Sequence, residues 1–171
     1  MFKKKILILF FLLLYQSPVF SKSASFEKFD SKTLSKYFSG IIAFENKDNS
    51  EALSFFTSSK ILLNQHDPYL KRLITSLVLE NDISQAVNII KINSKNDNTN
   101  FFEAYILLAL DSLKKNNIEK AKDILDNVPE NLQKDNFEFV ILNSLKQFIA
   151  VFQTREVKKD FQNFGNLSLI S

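Results

Sequence analysis

No cysteine occurs anywhere in the chain. That excludes a disulfide framework, a thiolate metal site and a lipid-modified cysteine. Tryptophan is also absent, and only two glycines and three prolines are present among 171 residues. So few turn-formers cannot supply the many tight turns of a β-sandwich or barrel. With Gly40 and Gly165 as the only glycines, no phosphate-cradling loop can be built. His66 is the only histidine. Set between Gln65 and Asp67, it reads as a solvated loop or cap residue, and Ser-His-Asp chemistry would rest on it alone. Metal sites need several convergent ligands, and no cluster is spaced for one. Acidic loop residues such as Asp97 lack the glycine and terminal glutamate of a calcium loop. Glu27 with Asp30 reads as solvated surface. The expectation is a non-catalytic chain with no metal and no cofactor.

What is plentiful is phenylalanine, at 18 residues, within a hydrophobic content of 45%. That content suits a folded domain and not a disordered chain. The N-terminus carries Lys3, Lys4 and Lys5, then an unbroken apolar run from Ile6 to Tyr15, then Gln16-Ser17-Pro18 and Val19-Phe20-Ser21. This is the three-part pattern of a secretory signal, with cleavage expected near Ser21 and residues 1–21 removed. The apolar run is about half the ~20 residues that cross a bilayer, so membrane contact is expected only transiently, through that segment. The formal charge of +3 comes from 22 basic and 19 acidic residues. The segment to Ser21 holds three of the lysines and no acid, so the processed chain is neutral. Nucleic-acid binding needs a positive surface to displace counterions, and none is provided. An exported, periplasmic or secreted protein is expected.

Residues 22–32 are polar and small apart from Phe26 and Phe29, and read as a flexible lead-in whose two rings can dock on the first helix. From Thr33 the apolar residues recur at helical spacing. Leu34, Tyr37, Phe38, Ile41 and Ile42 form one predicted buried face. A second helix is predicted through Ala52, Leu53, Phe56, Leu62 and Leu63. Asp67-Pro68 reads as a helix start, with Asp67 as the cap and Pro68 at the first helical position. Leu70, Leu73, Ile74 and Leu77 mark the next helix face, and Ile83, Ala86, Val87 and Ile90 the one after. Beyond a polar loop at 93–100, a further pair follows through Tyr105, Leu108 and Ala109, then Ile118, Ala121 and Leu125. No β-alternation persists. The fold class is all-α.

An internal period is present. Ala52, Ala86 and Ala121 stand 34 and 35 residues apart. Four residues before each lies a capping type, Asp48, Asp82 and Asn117, and four after lies a large apolar residue, Phe56, Ile90 and Leu125. Asp48 with Glu51 and Asp82 with Gln85 have capping-box spacing, each able to satisfy two backbone donors; Lys120 leaves the third box incomplete. Two antiparallel helices with short turns fill such a period. A small residue lets the helices approach, and the large apolar residue fills the space before the next pair.

On these residues the chain resembles the tetratricopeptide repeat family, over roughly 33–130. The family's small residue late in the first helix falls at Gly40 and Ala109, while Ile74 departs from it. Its opening aromatic is Tyr105 in the third pair, with Leu70 and Lys36 in the others, and its terminal proline is missing. The resemblance implies a right-handed α-α superhelix of about three helix pairs (33–66, 67–101 and 102–130), packed through Gly40, Ala52, Phe56, Ala86, Ile90, Ala109, Ala121 and Leu125. It also implies a concave groove lined by first helices. Carried over by register, the groove positions are Leu34, Tyr37, Ile41 and Phe44, then Lys71, Arg72, Thr75 and Val78, then Glu103, Ile106, Leu110 and Leu113. The cations with which such proteins clamp a C-terminal carboxylate are replaced by Tyr37, Ile41, Glu103 and Leu107. The surface is mostly apolar, suited to an amphipathic helix or extended peptide.

The segment 131–171 holds one strongly apolar helix over 136–152, capped by Asp135, and then loses the period, since the next small position falls at Arg155 or Glu156. Gly165-Asn166 reads as one helix end and Leu167 to Ser171 as another helix starting. The apolar tail, with Phe161 and Phe164, suggests either a chain cut short of its natural end or a tail that docks on a partner. The functional expectation is an exported scaffold that binds a protein or peptide partner. The alternative is a helical accessory module of a longer envelope enzyme whose catalytic part lies beyond Ser171.

Overall fold

The computed structural model describes residues 30–64, 66–95, 97–133 and 136–167. The expected signal segment, Phe26, Phe29 and the expected cap at Asp135 lie outside the described residues. Among those described, all regular structure is helical. Seven α-helices follow one another here: α1 (Ser31–Glu45), α2 (Asn49–Ser58), α3 (Asp67–Leu79), α4 (Ile83–Asn93), α5 (Phe102–Lys114), α6 (Ile118–Asp126) and α7 (Asn136–Thr154). Short 3-10 turns stand at Lys60–Asn64, Asp97–Thr99, Glu130–Leu132 and Gly165–Leu167. The most extensive packing joins α1 to α2 and α5 to α6, and each helix also meets the next along the chain.

The turns within three helix pairs share one geometry. Lys47, Asn81 and Asn116 adopt left-handed φ values of 62°, 63° and 61°. The next N–H in each turn, from Asp48, Asp82 and Asn117, donates to the carbonyl of Ala43, Leu77 and Ser112 at 2.9, 2.8 and 2.9 Å. The left-handed residue donates its own N–H to Phe44, Val78 and Leu113 at 3.0, 3.0 and 2.9 Å. This is the Schellman closure, which satisfies the orphan carbonyls of the first helix. The same capping residue then starts the second helix. Oδ1 of Asp48, Asp82 and Asn117 accepts from the N–H of Glu51, Gln85 and Lys120 at 3.1, 3.2 and 3.1 Å.

One correction follows from that arrangement. The spacing of Asp48 with Glu51 and Asp82 with Gln85 suggested reciprocal capping boxes. Only the forward half forms, because the cap's own N–H is already given to the preceding helix. Lys120 therefore costs the third turn nothing at that bond.

Other local expectations are also revised. The helix read through Leu62 and Leu63 stops at Ser58. Ser59 Oγ donates to the carbonyls of Phe55 and Phe56 at 2.9 and 3.1 Å, and the chain tightens into a 3-10 turn. The cap of α3 is His66, one residue before Asp67, with no side-chain cap bond. Leu34, Tyr37, Phe38, Ile41 and Ile42 do not share one buried face. Tyr37 is buried beside Gly40 and Ala43, whereas Phe38 and Ile42 are 57% and 64% exposed. Those five residues span a wider arc than α2 and its neighbours cover. Ile83 is likewise exposed on the first turn of α4. Residues 155–164 are not helical, and a 3-10 turn replaces the helix end expected at Gly165.

The interior runs the length of the described chain. Ala52, Ala86, Ala109 and Ala121 are fully buried, as are Phe56 and Leu125, and Ile90 is nearly so. At Gly40 the helices approach closely: a Cβ there would stand 2.8 Å from the Phe56 ring and 3.2 Å from Phe55 Cβ. Phe56 lies between α1 and α3, its ring centroid 5.9 Å from Tyr37 and 6.4 Å from Tyr69. At the other end Phe102, Ala109, Ala121, Leu125, Val128, Leu142 and Ile149 form one apolar cluster. Leu142 and Ile149 belong to α7, so that helix closes the core of the α5–α6 pair.

Candidate functional site

Two features combine polar and aromatic groups. The first is buried and centres on Tyr37. Arg72 donates from Nη1 to the Tyr37 hydroxyl at 2.6 Å and stands 5.9 Å from its ring centroid. His66 Nε2 shares a 2.9 Å hydrogen bond with the same hydroxyl, its ring edge-on to Tyr37 at 5.0 Å. Below them Tyr69 donates to the Phe56 carbonyl at 2.5 Å. Burial pushes the Tyr69 phenol well above its ordinary value of 10.0, against a smaller lowering by a hydrogen bond with Ser59. A phenol that stays neutral and donates to a backbone carbonyl is a structural tie between α2 and α3. The cluster joins α1, α2 and α3 through aromatic packing.

The second feature is an open apolar cleft of about 280 Å³ that spans three helices. From α3 come Ile74, Thr75 and Val78; from α5 come Phe102, Glu103, Ile106 and Leu107. From α7 come Phe137, Glu138 and Ile141. Ile74 and Phe102 are buried and form its floor, whereas the Phe137 ring is 70% exposed at its rim. Glu103 Oε1 is bound by Lys71 Nζ at 2.8 Å, with both side chains about half exposed, 47% and 50%. The α3, α5 and α7 contributions come from alternate helices, each opening a successive pair or, for α7, following the third pair.

The twelve predicted groove residues separate against these two features. Thr75, Val78, Glu103 and Ile106 line the cleft. Lys71 stands beside it through Glu103. Tyr37 is only 3% exposed and belongs to the buried cluster, so its place on an open groove is corrected. Its ring fills the space that α3 leaves over α1, and Arg72 turns onto it and away from the cleft. Leu34, Ile41 and Phe44 are half-buried on α1 and do not reach the cleft, Leu113 is half-buried on α5 outside it, and Leu110 is 44% exposed outside it. His66 is a cap residue, as one of its two readings has it, but it is half-buried and bonded to Tyr37 and not fully solvated.

Sequence reasoning missed the α7 side of the cleft. The signal was present: Phe137 lies 35 residues after Phe102, and Ile141 lies 35 after Ile106. Ser144, buried on α7, follows Ala109 by the same interval. At the second helices the period lapses at Arg155, whereas on the first helices it continues into α7.

Elsewhere, Asp111 Oδ2 accepts from both Lys91 and Lys115, at 2.6 and 2.8 Å, tying α4 to α5. The hydrogen bonds from Lys115 and Lys91 hold its carboxyl below the usual value, and the bond to Asp111 holds the Lys115 ammonium above its own. Among the described residues, no group of three or more His, Asp or Glu side chains can hold a metal ion, and no helix is long and apolar enough to cross a membrane. Compared with protein-family models, curated proteins and solved structures, the chain matches none.

Proposed function

We propose that this chain is an exported, tetratricopeptide-like scaffold that binds a protein or peptide partner and does no chemistry of its own. The observation that carries the reading is the apolar cleft built across α3, α5 and α7. Alternate helices contribute to one surface, which is how a stack of helix pairs offers a continuous concave face. The matched Schellman turns and the buried alanines at near-constant spacing support the stacked arrangement. Phe137 at the rim and Ile106 within supply the large apolar contacts that anchor a peptide. Export rests on the three lysines and the short apolar run at the N-terminus.

Site-specific photo-crosslinking in cells tests the binding face. A photoreactive side chain at Ile106 or Thr75 gives a discrete adduct in the envelope fraction, and one at Lys122, on the exposed side of α6, gives none. Equal adducts from Lys122 would defeat the assignment. Mass spectrometry of the same fraction is expected to find a chain beginning near Lys22; a chain that keeps Lys3 to Lys5 would remove the export reading.

A further inference from the structure

Two grooves that share no residue with the cleft hold more positive than negative charge. Between α4 and α5, a groove of about 370 Å³ takes Ser84, Asn88, Lys91, Asp111, Lys114 and Lys115 into its lining. Between α6 and α7, one of about 320 Å³ takes in Lys122, Asp126, Lys146, Gln153, Thr154 and Lys158. They are the same seam on successive helix pairs. Asp126 follows Lys91 by 35 residues and Lys146 follows Asp111 by 35, and each groove is bridged by the ion pair at those positions, with the signs exchanged. Asp111 serves two ammoniums, Lys91 and Lys115, whereas Lys114 has no carboxylate partner among the described residues. Asp126 is taken by Lys146, and Lys122 and Lys158 likewise have no carboxylate partner there. Glu119, beside the second groove, is held by Gln153 at 2.7 Å. Six ammoniums therefore stand against three carboxylates across the two seams. Exposed apolar side chains lie alongside. Ile92 is one turn beyond Asn88 on α4, and Phe152 and Val157 directly precede Gln153 and Lys158. These three are 72%, 57% and 52% exposed.

We infer that the two seams together form a surface that docks on an anionic lipid bilayer. Headgroup phosphates enter the grooves, and Ile92, Phe152 and Val157 meet the boundary with the acyl chains. A soluble anion would use the ammoniums alone, whereas a bilayer also takes up the apolar side chains beside them. The contact is peripheral, because no described helix is long and apolar enough to cross a membrane. It differs from the membrane contact expected of the N-terminal segment, since it belongs to the folded helices. It is also independent of the cleft: lipid leaves no discrete protein adduct at Lys122.

The test is cosedimentation of the full chain with two kinds of vesicle, phosphatidylcholine alone and phosphatidylcholine mixed equally with phosphatidylglycerol. The ratio of the two affinities is read, so that apolar insertion common to both vesicles cancels. A lysine near an anionic membrane surface is worth about fivefold in affinity, less where water and salt screen it. The chain prefers the anionic vesicles, and Lys114→Gln/Lys122→Gln/Lys158→Gln lowers that preference about tenfold or more at low salt. These lysines have no ion pair to lose, and circular dichroism checks that the helices persist. Lys36→Gln/Lys47→Gln/Lys60→Gln removes the same charge around α1 and α2 and has a much smaller effect. Equal losses in the two variants report net charge alone and overturn the inference. A preference that survives the seam variant and collapses in Lys3→Gln/Lys4→Gln/Lys5→Gln belongs to the N-terminal segment and overturns it too. Inorganic phosphate that binds by calorimetry, with no preference between vesicles, makes the grooves sites for a soluble anion and overturns the bilayer as occupant. Should the seam variant fail to fold, Ile92→Ser/Phe152→Ser alters only exposed side chains: weaker binding to the anionic vesicles supports the docking surface, and unchanged binding removes it.

Discussion

Gly40 illustrates how one side chain, or its lack, sets the distance between helices. Glycine inside a helix costs about 1 kcal/mol against alanine, so Gly40→Ala would stabilise an isolated α1. In the fold the added Cβ meets the Phe56 ring at 2.8 Å and Phe55 Cβ at 3.2 Å. Overpacking of a buried site costs about 1–3 kcal/mol, which exceeds the helical gain. Gly40→Ala is expected to lower stability by about 1 kcal/mol, read from the midpoint of urea unfolding. Tyr69 carries a pH prediction. Its phenol titrates well above the ordinary value of 10.0 in the folded chain because burial disfavours the phenolate. As pH rises past 10, the unfolded chain releases this proton and the folded chain keeps it, so stability falls. Below pH 10 the contribution is constant. Tyr69→Phe should remove that part of the alkaline decline, and should cost about 1 kcal/mol at neutral pH through the lost bond to the Phe56 carbonyl. An identical alkaline slope in the variant would show that another group governs it. Gly40 was legible in the sequence as a small-residue position, but the partner that makes it small, Phe56 meeting it edge-first, was not.

The elements are punctuated by turns, and their capping residues were legible from spacing alone. Asp48, Asp82 and Asn117 are polar residues ahead of an amphipathic run, and local chemistry suffices to make them caps. Their other role was not legible, since the bond from their backbone N–H depends on a left-handed residue just before. Lysine at position 47 occupies that conformation with no sequence signal of glycine. A Cβ in the left-handed region costs about 1–2 kcal/mol. Lys47→Gly is therefore expected to stabilise the chain, by about 1 kcal/mol after the greater freedom of glycine in the unfolded state is subtracted. Asn81→Gly should gain less, because asparagine tolerates the left-handed region better. Thermal unfolding of both variants checks the order, and a loss of stability in Lys47→Gly would refute the strain argument.

At the scale of the whole molecule, α7 completes the interior. Leu142 and Ile149 are almost fully buried in the cluster that contains Ala121 and Leu125. Each such side chain contributes about 1.5–3 kcal/mol by burial. Total stability of a domain is typically about 5–15 kcal/mol. A chain ending at Gln133 is expected to lose cooperative thermal unfolding around α5 and α6, seen as a broadened transition by circular dichroism. A sharp, unshifted transition would mean that α7 is dispensable. The same truncation removes Phe137, Glu138 and Ile141 and with them one wall of the cleft. Stability and the proposed binding surface thus share one helix.

The order of apolar and polar residues, acting through the 3.6-residue helical repeat, determined by itself that the described part of this chain is all-helical, where most helices start, and that alanines recur at near-equal intervals. Those are consequences of contacts within a few residues along the backbone. Only the tertiary structure decided that Tyr37 lies inside while Phe38 and Ile42 lie outside, that Arg72 turns from the cleft to a phenol, and that α7 supplies its third wall. Helical periodicity places residues on a common face, but the arc of that face hidden from water depends on which neighbouring helices arrive there, and those neighbours come from distant parts of the chain.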